Sequence, residues 1–192
     1  MKKKGRKALT RTKKLVIISL FVSQAIVLSI FERMIPINFA VPGAKLGLAN
    51  IVTILSLYIF GLRETILIVL LRTFMASVFG GTLLTFLYSV SGALISLFVM
   101  YLLKKLPKDK FTIVGISVFG SISHNVGQII MAVLIIQSIN IALYLPMLII
   151  ISIPTGLFVG YSSKKLLEYL NKIKYFKNVH NLDRLNSLYD RA

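Results

Sequence analysis

Arg72 stands inside an apolar run, residues 65–79, in a chain built almost wholly of such runs. An ionised guanidinium at bilayer depth costs about 2.5–3.5 kcal/mol on insertion scales, so it normally faces a protein interior, a wet cavity or a ligand. Its planar fork of donors matches an anionic group such as a carboxylate or phosphate. Other groups with hydrogen-bonding capacity sit in neighbouring runs: Asn50 in one, and His124, Asn125 and Gln128 in the stretch Ser123-His-Asn-Val-Gly-Gln128 of another. Lys45 lies just ahead of the run that carries Asn50. These six form the candidate binding set, with Lys45 and Asn50 at a mouth and Arg72, His124, Asn125 and Gln128 deeper. His124 and Gln128 are equally well explained by hydrogen bonds between helices. Ser89, Gly92, Gly156 and Gly160 suit close helix packing better than ligand contact, and Gly156-x-x-x-Gly160 has the spacing for it. Arg72 differs, because no acidic residue lies deep in any run. Glu64 is eight residues away, about 12 Å along a helix axis.

The elements that must position these groups are membrane helices. A chain of 192 residues that is 56% hydrophobic, with a mean hydropathy of +0.83, is too apolar for a soluble domain whose surface must be solvated. Six apolar runs cover residues 15–31, 46–60, 65–79, 82–103, 111–136 and 141–161. Most are long enough to cross a hydrocarbon layer of about 30 Å, whereas the second and third reach only about 22 Å. Those two must borrow flanking residues or be shielded by protein. The expected fold is therefore all-α, a multi-pass bundle of six transmembrane helices. It divides into a basic segment 1–14, a membrane domain 15–162 and a basic tail 163–192. The first run follows a basic stretch but has no small-x-small cleavage pattern after it, so it reads as a retained span.

A net charge of +17 would suit nucleic acid, but the placement of the charge argues for a membrane instead. If both termini are cytoplasmic, that side receives eight Lys/Arg from residues 1–14, Arg63, four from 104–110 and seven from 164–192, or 20 of 23. This asymmetry is the positive-inside pattern for an even number of spans in the cell membrane. In that topology the second span enters from outside, so Asn50 lies about one turn below Lys45. Arg72 and His124 both fall near mid-membrane, with Gln128 one turn further out. Ser117, Ser121, His124 and Gln128 share a helical face, as do Ser89, Gly92 and Ser96. Polar groups thus gather toward the outer half, as in a pocket open to the outside.

The connections are short except for the loop 32–45, which contains Pro36, Pro42 and Gly43, cannot be one continuous helix and is placed to fold over the outer mouth. The first half of the tail, with Leu166, Leu167, Leu170, Ile173 and Phe176 among lysines, reads as an amphipathic helix on an anionic lipid surface. Catalytic readings fare poorly. The six acids, Glu32, Glu64, Asp109, Glu168, Asp183 and Asp190, lie at interfaces, in loops or in the tail, so no Asp cluster is available to hold Mg²⁺ for diphosphate chemistry. No phosphate-binding Gly-x-x-x-x-Gly-Lys-Ser/Thr loop is present, so ATP-driven work needs another subunit. The absence of cysteine removes disulfides and thiolate chemistry. The chain is expected to be neither an enzyme nor the holder of a cofactor or metal.

The stretch Val41-Pro-Gly-Ala-Lys-Leu-Gly-Leu-Ala-Asn-Ile-Val-Thr53, followed by Gly61-Leu-Arg-Glu64, Arg72, Gly80-Gly81 and Ser123-His-Asn-Val-Gly-Gln128, resembles the Gx transporter family. That family is widely labelled heptaprenyl diphosphate synthase component I and is similar to the substrate-binding S components of energy-coupling-factor transporters. The resemblance spans roughly residues 15–162. It implies a six-helix, S-component-like bundle that binds a small, anionic or amphipathic molecule and works with a transmembrane coupling protein and paired ATPases. The family label implies an alternative, a noncatalytic membrane partner of an isoprenoid or quinone-pathway enzyme. Where S components carry an Ala-x-x-x-Ala docking pair in the first helix, this chain has Ala25-x-x-x-Ser29.

Overall fold

A computed structural model describes residues 11–34, 47–106 and 111–172, and every regular element among them is helical. The helices are α1 (Arg11–Met34), α2 (Asn50–Ile59), α3 (Leu62–Val78), α4 (Leu83–Lys105), α5 (Ile113–Ile136) and α6 (Leu145–Lys172), with a 3-10 turn over Ile139–Tyr144 ahead of α6. Four of them, α1, α4, α5 and α6, are long and apolar enough to cross a membrane by themselves. α2 has ten residues, about 15 Å of helix, and α3 has 17. Residues 35–45 of the expected loop 32–45, the residues of the basic segment before Arg11 and the tail beyond Lys172 lie outside the described residues, while residues 32–34 of that loop belong to α1.

The short α2 survives because protein surrounds it. Nine of its ten residues are buried, and it touches α1, α3, α4 and α6. The other helices pack in the order α1, α3, α4, α5, α6, with α5 making extensive contacts on both of its sides. The second run thus forms a buried helix enclosed by its neighbours. Ile54, Leu57 and Ile59 of α2 join Ile68 and Val69 of α3, Leu97 and Met100 of α4 and Leu167 of α6 in the main core.

Glycine sets how closely α4, α5 and α6 approach. A Cβ on Gly156 would lie 2.7 Å from the Val118 Cα, and one on Gly160 would lie 2.8 Å from the Val114 Cα. The Gly156-x-x-x-Gly160 pair therefore does the packing its spacing implied. Serines bond across the same contacts: Ser117 Oγ donates to the Gly156 carbonyl at 2.8 Å and Ser96 Oγ to the Gly120 carbonyl at 2.7 Å. Large apolar side chains such as Leu83, Phe98, Leu134, Ile150 and Phe158 point outward and are exposed, as a lipid-facing surface requires.

At one end of the bundle Lys14 of α1 pairs with Glu64 of α3. There too Lys104 Nζ donates to the Leu57 carbonyl at 2.7 Å and sits 4.4 Å from the Tyr58 ring centroid. The hydrogen bond satisfies a carbonyl at the C-terminal end of α2, where carbonyls lack helical partners. The sixth apolar run differs from expectation at both ends. Its first residues form the 3-10 turn, and its helix continues without a break to Lys172, past the expected tail boundary. Leu167 is fully buried in the core and Leu170 packs against it, so the apolar face read as lipid-bound rests on protein at these two positions. Leu166 is exposed.

Candidate binding pocket

The pocket lies at the end of the bundle opposite the Lys14–Glu64 pair, where five helices contribute. α1 supplies Ser29 and Glu32, whose i, i+3 spacing puts them on the face that also buries Ala25, while Phe31 turns outward. The entry to α2 supplies Gly47, Ala49 and Asn50. Gly47 has φ +82, which favours glycine. A Cβ there would also lie 2.9 Å from the Asn50 Nδ2. The Asn50 N–H donates to the Gly47 carbonyl at 2.8 Å, closing the turn that starts α2. α3 adds Arg72, Thr73 and Ala76, α4 adds Ser89, and α5 adds His124. The cavity has a volume of about 20 Å³, room for about one water molecule.

Two side chains face this void with bonding capacity unused. The Arg72 side chain is 5% exposed and its Nε has no hydrogen-bond partner. Asn50 is 3% exposed, and both its Nδ2 and its Oδ1 are buried without a partner. A buried polar group left unsatisfied costs about 1–3 kcal/mol. Two of them in one cavity mark a place that something else completes.

Glu32 corrects the sequence reading most directly. Its side chain is buried and lines the same pocket, and its charge acts on Arg72. Its carboxylate also accepts the Gly47 N–H, tying the end of α1 to the start of α2. The sequence offered no internal counterion because Glu32 follows the first apolar run and reads as loop. α1 continues to Met34, and that extra turn carries Glu32 inward. The signal available was the helical spacing Ala25, Ser29, Glu32.

Of the six residues singled out from the sequence, Asn50, Arg72 and His124 come together in the pocket. Lys45 lies outside the described residues. Asn125 points the other way, into the α5–α6 contact, where its Nδ2 donates to Ser152 Oγ at 2.7 Å and reaches the Leu148 carbonyl at 3.4 Å. Gln128 is buried on α5 against α4 rather than in the lining, and its Cγ would meet a Cβ on Gly92 at 2.8 Å. The serine face of α5 is likewise divided, since Ser117 bonds to α6. Sequence reasoning missed Ser29, Glu32, Gly47, Ala49, Thr73 and Ala76, and it assigned Ser89 to packing. Small residues at these places look the same in sequence whether they line a void or a helix contact.

Chemically the pocket offers a cation, a carboxylate, an amide, an imidazole and hydroxyl groups, a set suited to holding a polar group. Among the described residues, no three His, Cys, Asp or Glu side chains gather as a metal site would require. A family model described as heptaprenyl diphosphate synthase component I matches residues 21–166. The chain belongs to this family. Every pocket residue, from Ser29 to His124, falls within the matched span. Comparisons with curated proteins and with solved structures gave no match.

Proposed function

We propose that this component I family member is a noncatalytic membrane subunit that binds a small anionic or amphipathic molecule from the outer side and helps it cross the membrane. The observation that carries the reading is the pair of buried, unsatisfied groups, Arg72 Nε and the Asn50 amide, facing one cavity. A six-span arrangement with both termini cytoplasmic turns the pocket outward, because the basic end marked by Lys14 and Lys104 is then inside. The two shorter helices cross in this arrangement under cover of the rest, α2 inside the bundle and α3 between α1 and α4. Transport of this kind draws its energy from separate proteins, a transmembrane coupling protein with ATPase subunits. The first-helix pair Ala25 and Ser29 does not serve as their dock. Ala25 is fully buried, and Ser29 lines the pocket and donates to the Ala25 carbonyl at 2.8 Å, so a coupling protein uses another face. Mass spectrometry of molecules retained by the purified protein, followed by uptake of the identified compound into proteoliposomes, tests the reading. A small polar compound that is lost in Arg72→Gln supports it. A protein that retains nothing and accumulates nothing overturns it.

The family's description favours a second reading, a noncatalytic membrane component of heptaprenyl diphosphate synthase or another isoprenoid-pathway enzyme. Copurification with a soluble prenyltransferase, together with a change in its product length when the subunit is present, is the outcome that selects it.

A further inference from the structure

We infer that the outward face of α1 is an interface with a second copy of this chain, in which the Gln24 amides of the two copies hydrogen-bond to each other. Gln24 lies deep in the span Thr12–Glu32. It is 12 residues from one end and eight from the other, about 18 and 12 Å along the axis, farther than its side chain reaches. Yet it is exposed, and its amide has no hydrogen-bond partner among the described residues. Ser19 and Ser23, also exposed on this side, donate to the carbonyls of Leu15 and Ser19. Elsewhere the bundle turns apolar side chains outward at mid-span, such as Leu94 and Phe98 of α4 and Ile153 and Leu157 of α6. An amide in hydrocarbon keeps donors and an acceptor that no solvent satisfies, so a polar group from another chain is needed to meet it.

The residues around Gln24 show the form of the contact. Leu20, Gln24, Val27, Phe31 and Met34 recur at alternating steps of four and three, the spacing of a seam along which two helices pack with a left-handed crossing. Its four apolar members are each more than half exposed, so no described helix of this chain occupies the seam. α1 buries the opposite side, with Ile18, Ala25 and Ser29, against its own bundle. A single polar residue in an otherwise apolar seam sets register and the number of partners. A glutamine amide is both donor and acceptor. Two copies inserted in the same orientation bring their Gln24 side chains to the same depth, where the amides bond reciprocally and neither is left unmet. An unrelated helix would need its own polar group at that depth, whereas a second copy supplies it by symmetry. Ser29 and Glu32 line the pocket from the other side of α1, so association leaves that lining in place.

The test exploits the absence of cysteine from the chain. Leu20→Cys, Val27→Cys and Phe31→Cys, each made singly in the full chain and oxidised in native membranes, should give a disulfide-linked dimer. Phe158→Cys, exposed on α6, should give little. Energy transfer between differently labelled copies in liposomes measures the affinity. Gln24→Leu changes an exposed side chain and should raise the dissociation constant about tenfold, the scale of interhelical polar contacts in a membrane. Gln24→Asn should keep most of the wild-type affinity, because the amide remains. Equal cross-linking at the seam and at Phe158, energy transfer in wild type no greater than random proximity gives, or undiminished association of Gln24→Leu would each overturn the interface. If Val27→Cys is captured by a different membrane protein and forms no dimer, the second-copy assignment is wrong and the face docks a foreign helix.

Discussion

Removing Arg72 should separate two costs that a single-variant experiment would confuse. The first concerns folding. Without Arg72 the buried Glu32 loses a cation on which its charge acts, and breaking a buried pair typically costs about 3–5 kcal/mol. Arg72 Nε makes no hydrogen bond, so the lower figure, about 3 kcal/mol, is the appropriate one for Arg72→Gln. The second cost concerns binding. A hydrogen bond to a charged group contributes roughly 1.5–3 kcal/mol, so affinity for the retained ligand should fall by about one to two orders of magnitude. Arg72→Lys should also weaken binding, since a compact ammonium replaces the planar fork. The double variant Glu32→Gln/Arg72→Gln tells the costs apart. With both charges gone, stability should return to within about 1 kcal/mol of wild type, because a buried ion pair replaced as a unit is often neutral. Binding should stay lost. Equilibrium unfolding in mixed micelles gives the first quantity, and titration of the monodisperse fraction gives the second. An Arg72→Gln protein with wild-type stability and wild-type affinity would refute both the charge pairing and the pocket.

Gly92→Ala places a Cβ 2.7 Å from the His124 carbonyl oxygen and 3.3 Å from its ring, so α5 must shift. Ligand affinity should fall severalfold while the helical circular dichroism is unchanged, and wild-type affinity would show that the position of His124 is unimportant. Asn125→Ala should cost about 0.5–1.5 kcal/mol of stability through its lost bond to Ser152 and leave affinity unaltered; a large loss of affinity would return Asn125 to the site. A cysteine at position 38 should react with an impermeant reagent from outside intact cells, and cysteines placed near either terminus should not. Labelling of position 38 from the cytoplasmic side alone would invert the proposed topology.

The membrane character, the helical class and a central buried cation are all legible in the sequence, because each depends on local composition. A long apolar run must satisfy its backbone internally, and a lone arginine within one must find a polar partner wherever the fold puts it. The glycine spacing on α6 also carried its meaning, since the i, i+4 repeat of residues without side chains permits close approach. The identity of Arg72's neighbours depends instead on which helix faces which. Glu32 lies 40 positions away in sequence, and only the continuation of α1 past its apolar run, packed beside α3, brings it into the pocket. Asn125 and His124 are adjacent in the chain but about 100° apart around α5. One therefore bonds to α6 while the other lines the void. α2 shows the same division: its apolar content is local, but the burial of this ten-residue helix comes from α1, α3, α4 and α6, which all touch it. Tertiary packing decided these features, because orientation around a helix axis and the choice of neighbouring helix are relations between segments that no single segment encodes.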